Sequence, residues 1–159
     1  MHGSSMRLMA SFRDRYLGGM KGCTVLDVGA GQIPGQRSYR ELFREYCYIG
    51  MDIVPGDNVD VVGYESLSVG YDVVISGQVL EHVKRPWEWI WQLSGLFSAY
   101  ICIIAPNQWP EHRYPLDCWR VLPDGMAALF EYAGITPVEI HAEGANTIGV
   151  GRNGHISLP

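Results

Sequence analysis

Three groups of residues in this chain carry side chains and spacings suited to chemistry. The first is Asp27-Val28-Gly29-Ala30-Gly31, which follows the apolar run Thr24-Val25-Leu26 and leads into Gln32-Ile33-Pro34-Gly35. Glycine adopts positive φ and has no Cβ, so such a turn brings backbone N–H groups against a ligand at the end of a strand. The second is Asp52, at the carboxyl end of the next apolar run, where an acid accepts hydrogen bonds from ribose hydroxyls across a sheet edge. The third is the segment from Pro106 to Arg120, polar, aromatic and pinned by prolines, which is richer in reactive side chains than a connector needs.

Asp27 decides what kind of ligand the glycine turn takes. A dinucleotide turn follows G-x-G-x-x-G, with a pyrophosphate on the helix N-terminus. Here the third glycine, Gly35, falls one position late, and the Asp27 carboxylate would face the pyrophosphate with like charge. An acid there suits an ammonium or a sulfonium, and S-adenosylmethionine carries both. The D-x-G-x-G run resembles the first motif of the Rossmann-like, class I, S-adenosylmethionine-dependent methyltransferases. A second stretch, from Tyr71-Asp72-Val73-Val74 to Leu80-Glu81-His82-Val83, is similar to the segment that forms the cofactor-side wall in that family. The His112-x-x-Pro115-x-Asp117-x-Trp119-Arg120 pattern resembles a subset of small bacterial methyltransferases whose loop lies over the methyl-transfer site. The likeness runs from about Val25 to Gly134.

The resemblance implies S-adenosylmethionine as cofactor and a set of residues to hold it. These are Asp27, Gly29, Ala30 and Gly31 in the first motif, Asp52 and Ile53 after the second strand, and Ser76, Gly77 and Gln78 after the fourth. The adenine position falls at Gly63-Tyr64-Glu65-Ser66-Leu67, where Tyr64 can stack or Glu65 can accept, and the choice stays open. Methyl transfer from a sulfonium is an in-line displacement that needs an aligned nucleophile and, for a hydroxyl, removal of its proton. His112, Asp117 and Tyr114 are the candidate catalytic residues. His112 is the base by type, Asp117 orients it or charge-stabilises it, and Asn107 and Arg120 face the acceptor, with Arg120 as an anion clamp. Asp117 and Arg120 stand three apart, so a structural pair holding the loop is the competing reading. Glu81 and His82 resemble an acid/base pair, but helix neighbours face different directions, which favours packing or a cofactor wall. His82, His112 and His141 are scattered in sequence and no carboxylates cluster at ligand spacing, so no metal is expected.

These segments need a scaffold that brings strand ends together. Apolar runs at Cys23–Val28, Tyr48–Ile53, Val59–Val62, Tyr71–Ser76 and Tyr100–Ala105 read as strands buried on both faces. Helices are expected at Met6–Leu17, Gly35–Tyr46, around Trp87-Glu88-Trp89-Ile90-Trp91, and from Leu122 to Tyr132. The three tryptophans at that spacing read as core or interface. The alternation implies an α/β fold, a doubly wound, mostly parallel sheet with helices on both faces. Thr136–Ala142 and His155–Leu158 suggest an antiparallel edge hairpin at the C-terminal end, in a part that is short for this fold. In such sheets ligands bind beyond the carboxyl ends of the strands.

Composition bounds the rest. The 159 residues, 47% hydrophobic and 18% charged, make one domain over residues 6–159, with Met1–Ser5 reading as an added remnant. Net charge is −5 with no Lys/Arg cluster, which disfavours nucleic acid as the main partner. No run of about 18 apolar residues or signal peptide is present, so no membrane is expected. Cys23, Cys47, Cys102 and Cys118 lack C-x-x-C pairing and read as buried reduced thiols, as in the cytoplasm. The expected partner is a small-molecule, sugar or biosynthetic-intermediate acceptor, methylated at oxygen, with the oligomeric state open. A cofactor-binding sensor or scaffold without chemistry is the alternative, and a nicotinamide oxidoreductase the third reading.

Overall fold

A computed structural model of the chain describes residues 3–32, 35, 37–68 and 70–154. Among the described residues seven strands form one sheet: β1 (Thr24–Val28), β2 (Cys47–Asp52), β3 (Val61–Val62), β4 (Tyr71–Gly77), β5 (Phe97–Pro106), β6 (Ile135–Glu143) and β7 (Asn146–Asn153). Their spatial order is β3-β2-β1-β4-β5-β7-β6. The first five pair in parallel, β7 runs antiparallel to β5, and β6 forms the antiparallel edge. The doubly wound sheet and its antiparallel edge are as expected, and the closing strand of the hairpin is Asn146–Asn153. The strand expected at His155–Leu158 lies outside the described residues.

Alternation along the strands builds two apolar layers. Leu26, Val28, Val74, Ile101 and Ile103 face helices α2 (Pro86–Ser94) and α3 (Pro123–Tyr132). Val25, Val73, Ile75, Cys102, Ile104 and Val150 face helix α1 (Gly3–Tyr16) together with Tyr39 and Phe43. Helix α1 begins before Met6: Gly3, Ser4 and Ser5 belong to it, and Ser5 is fully buried.

The helix expected over 35–46 does not form. The chain makes one 3₁₀ turn, Tyr39–Glu41, closed by a capping box between Ser38 and Glu41. The apolar spacing of Tyr39, Leu42, Phe43 and Tyr46 is helical, but tertiary partners override it. Helix α1 already covers this face of the sheet. Tyr39 and Phe43 are fully buried in its layer, and Arg40 turns away to Asn58 and Asp60. Leu80-Glu81-His82 is likewise a 3₁₀ turn ahead of α2. The third strand shortens to Val61–Val62. Of the three tryptophans of α2 only Trp89 is buried; Trp87 and Trp91 face solvent. The cysteines also differ from expectation: all four are free, but Cys102 alone is buried, and Cys47 and Cys118 are exposed.

Gly77 shows how tightly the α1 side is packed. A Cβ there would fall 2.0 Å from the Tyr39 hydroxyl, which is itself held by Ser5 Oγ at 2.5 Å. Gly77→Ala must displace a fully buried ring, so it should lower stability by about 1–3 kcal/mol, the usual cost of overpacking. An unchanged urea midpoint would show that Tyr39 can move aside.

Candidate functional site

Strand order reverses between β1 and β4. The chain leaves β1 toward β2 and β3, then returns to place β4 on the other side of β1, and connections leaving in opposite directions open a crevice at the carboxyl ends. Asp27 and Gly29, Asp52, Ser76 to Gln78 and Asn107 all fall at that edge.

Asp27 pairs in register with Gly50 on one side and Ile75 on the other, and is 1% exposed. Burial raises its carboxyl to about 7, opposed by the Tyr48 hydroxyl that donates to it and by the Arg40 charge. Tyr48 was not singled out from sequence. The signal was register: Val25 pairs with Tyr48, so Tyr48 and Asp27 rise from the same side of neighbouring strands. Gly29 has φ of +83°, and a Cβ there would meet Val79 at 2.2 Å. The Gly29 and Ala30 N–H groups donate to Met51 O, so they tie the turn to β2. Asp52 accepts from the Gly31 N–H at 2.9 Å and from the Ile53 N–H at 2.7 Å. It therefore stands at the glycine turn, and Ile53 is exposed beside it.

Other expected cofactor residues also make hydrogen bonds within the fold. Ser76 is buried and its Oγ donates to Val28 O at 2.6 Å, so its hydroxyl cross-ties β4 to β1 and does not face a ligand. Gln78 adopts φ of +62° and its Nε2 donates to Asn146. The Tyr64 hydroxyl accepts from Trp89 Nε1 at 2.6 Å, and burial pushes its pKa up.

The loop after β5 is braced from within. Arg120 has five N–H donors, and each finds an acceptor in the loop: Trp109 O, Trp119 O, Pro110 O and both oxygens of Asp117. The expected anion clamp is therefore a brace, because no donor remains for a substrate. Arg120 holds the Asp117 carboxyl well below the usual range, and the His112 N–H adds to the effect. Asn107 is tied through its N–H to Ala145 O, and Tyr114 is 65% exposed.

The brace carries His112 across to the turn after β4. His82, His112 and Glu81, scattered in sequence, come together there: ligand-type atoms of all three lie within 4.8 Å of one another. The expectation that no such group exists is corrected by this meeting of loop and turn, while His141 stands apart with Glu139 and Glu143. Glu81 is fully buried, and burial raises its carboxyl to about 7 against the pull of its own N–H and of Arg120. Successive residues diverge by about 120° in a 3₁₀ turn, yet the His82 ring reaches back until its Nε2 lies 3.7 Å from Glu81 Oε1, an approach the sequence reading did not expect.

Asp27 makes stability pH-dependent. An unfolded Asp ionises near ~4, whereas the folded chain keeps Asp27 protonated up to about 7. The folded state binds the extra proton between those values, so this contribution is full below the lower one and is lost as pH rises through the higher. Asp27→Asn should flatten the fall in stability across that window, read by urea unfolding at a series of pH values. Parallel curves for variant and parent would refute the raised carboxyl.

No family model matches the chain, and no curated protein matches it by sequence. Solved structures do. Magnesium protoporphyrin IX methyltransferase from Synechocystis PCC 6803, with S-adenosylhomocysteine bound, aligns over 94% of this chain and 82% of its own, at 14% identity and a TM-score of 0.67. A SAM-dependent methyltransferase from Aquifex aeolicus aligns over 96% of this chain and 98% of its own, at 14% identity and a TM-score of 0.59. The [4+2]-cyclase SpnF aligns over 92% of this chain and 80% of its own, at 14% identity and a TM-score of 0.66. The chain has the fold of the S-adenosylmethionine-dependent methyltransferases.

Proposed function

We propose that this chain is an S-adenosylmethionine-dependent methyltransferase that acts on a hydroxyl oxygen of a small molecule, a sugar or a biosynthetic intermediate. The observation that carries the reading is the pairing of two half-sites on one sheet edge. Asp27 and Asp52 flank the glycine turn at the ends of β1 and β2, and the Glu81–His82–His112 group stands after β4 under the braced loop. The first half-site suits a ligand with an ammonium and a ribose. The second offers proton acceptors beside it.

In this reading Asp27 pairs with the methionine ammonium and Asp52 with the ribose hydroxyls. The acceptor enters beneath the loop of residues 107–120. S-adenosylmethionine bound there would supply the methyl group for in-line attack by that oxygen, its sulfur keeping the electron pair as a neutral thioether. The proton leaves toward the Glu81–His82–His112 group, with His112 nearest the open side, its side chain 35% exposed. Asp117 and Arg120 are positioning residues: they fix the backbone that presents His112. The four free cysteines fit a cytoplasmic setting, and no helix among the described residues is long and apolar enough to cross a membrane.

Calorimetric titration with S-adenosylmethionine and with S-adenosylhomocysteine tests the first half-site. Micromolar binding is expected, weakened at least about tenfold in Asp27→Ala by loss of a charge-assisted contact. No binding by a folded sample would favour a scaffold protein. His112→Ala should keep S-adenosylhomocysteine affinity within about twofold while slowing turnover on an acceptor from a sugar and phenol panel by about 10²-fold or more. A loss of cofactor affinity would move His112 into the cofactor pocket.

A further inference from the structure

Both imidazoles beside Glu81 have their proton positions fixed by their surroundings. His82 Nδ1 hydrogen-bonds the Leu116 carbonyl, which can only accept, so Nδ1 carries a proton and, in the neutral ring, Nε2 bears the lone pair. His112 Nδ1 lies 3.4 Å from Pro110 O and 3.5 Å from Asp117 Oδ2, two further acceptors, which places its proton on Nδ1 as well. The two Nε2 atoms then point at one carboxylate oxygen: Glu81 Oε1 is 3.7 Å from His82 Nε2 and 4.0 Å from His112 Nε2. Neither oxygen of this fully buried carboxylate has a hydrogen-bonding partner.

With Glu81 ionised and both rings neutral, three lone pairs face one another, an arrangement that costs free energy unless a proton on the carboxyl or a bound cation relieves it. A proton shared directly between two of them would need about 2.6–3.2 Å between heavy atoms. The gaps are wider. Ligand atoms on one tetrahedral cation stand about 3.3 Å apart at metal–ligand distances of about 2.0–2.1 Å, so small rotations of the three side chains would bring them onto a single ion. The outer partners are also those of a metal site. A histidine ligand commonly gives its second N–H to a carbonyl or carboxylate, which fixes the ring and raises its basicity, and here Leu116 O serves His82 while Asp117 and Pro110 O serve His112.

We propose that Glu81 Oε1, His82 Nε2 and His112 Nε2 bind one divalent transition-metal ion, with open coordination positions toward the acceptor space. Two nitrogens and one carboxylate without thiolate select a first-row ion such as Zn²⁺, Mn²⁺ or Fe²⁺ over the all-oxygen sites of Ca²⁺ or Mg²⁺. The proposal rests on the methyltransferase reading for its use and deepens it. An ion held there would supply Lewis acidity, lowering the pKa of an acceptor hydroxyl that Glu81, His82 and His112 bring within reach of it. His112 then acts as a ligand, and the proton-removing power of the group resides in the ion it holds.

The test reads metal binding and cofactor binding separately on the intact chain. Chelator-treated protein is titrated with Zn²⁺, and with Co²⁺ followed by its visible d–d spectrum. One equivalent should bind, with Co²⁺ bands typical of mixed nitrogen and oxygen ligation. His112→Ala and Glu81→Gln should each weaken Zn²⁺ binding by about 10-fold or more, and Asp117→Asn should weaken it through the outer partner. S-adenosylhomocysteine affinity should stay within about twofold in all three. Failure to bind metal in protein that still binds S-adenosylhomocysteine would overturn the metal site alone, as would binding that His112→Ala and Glu81→Gln leave unchanged. Metal binding without any cofactor binding would overturn the methyltransferase reading and leave the site standing.

Discussion

The reversal of strand order between β1 and β4 is the constraint from which the rest follows. Every parallel strand must be reached by a crossover that covers one face of the sheet, and only where successive crossovers leave in opposite directions does the carboxyl edge stay uncovered. The groups at that edge are costly ones. Asp27 and Glu81 are buried carboxyls, each held near neutrality by loss of solvent. A fold that spends stability in this way at one edge, with an apolar core on both faces beneath it, separates the rigid part of its work from the reactive part.

The Asp117–Arg120 pair extends that edge. The loop after β5 has no regular structure of its own across residues 107–122, so its shape depends on side chains bonding to its backbone. Arg120 collects three carbonyls and a carboxylate into one knot, and the same carboxylate caps the His112 N–H. Cys118 N donates to Glu81 O, and Trp119 Nε1 to Val83 O, which stitch the knot onto the turn after β4. An irregular segment is thereby placed as firmly as a helix would be.

Much of this was legible in the sequence. The strands, the glycine turn and the acids at strand ends follow from apolar runs and from the chemistry of Asp27, because burial on both faces leaves a strong signature. The crossover over 35–46 was not, since its helical spacing is real and yields only to α1, a partner far away in sequence. Glu81 and His82 were seen but read as diverging helix neighbours; the His82 ring is turned back toward Glu81 by its bond to the Leu116 carbonyl, a long-range partner with no local sign. Arg120 was correctly paired with Asp117 as one alternative, yet that its every donor is engaged depends on loop carbonyls that no pattern reveals. The meeting of His112 with Glu81 is a long-range contact and had no local sign.

The packing of α1 has a consequence for the order in which this domain folds. The helix stands first in the chain; Ser5 and Arg13 bond to Tyr39 and Leu42, but other partners come late. Arg15 and Tyr16 bond to Glu139, across 124 and 123 positions, and Ser4 receives a bond from Asn146, across 142. Contacts of such separation must first meet the entropy of closing very long loops. During synthesis the apolar face of α1 can pack on Tyr39, Phe43 and the inner faces of β1, β4 and β5 first, and the rim of that layer closes only when β6 and β7 have emerged.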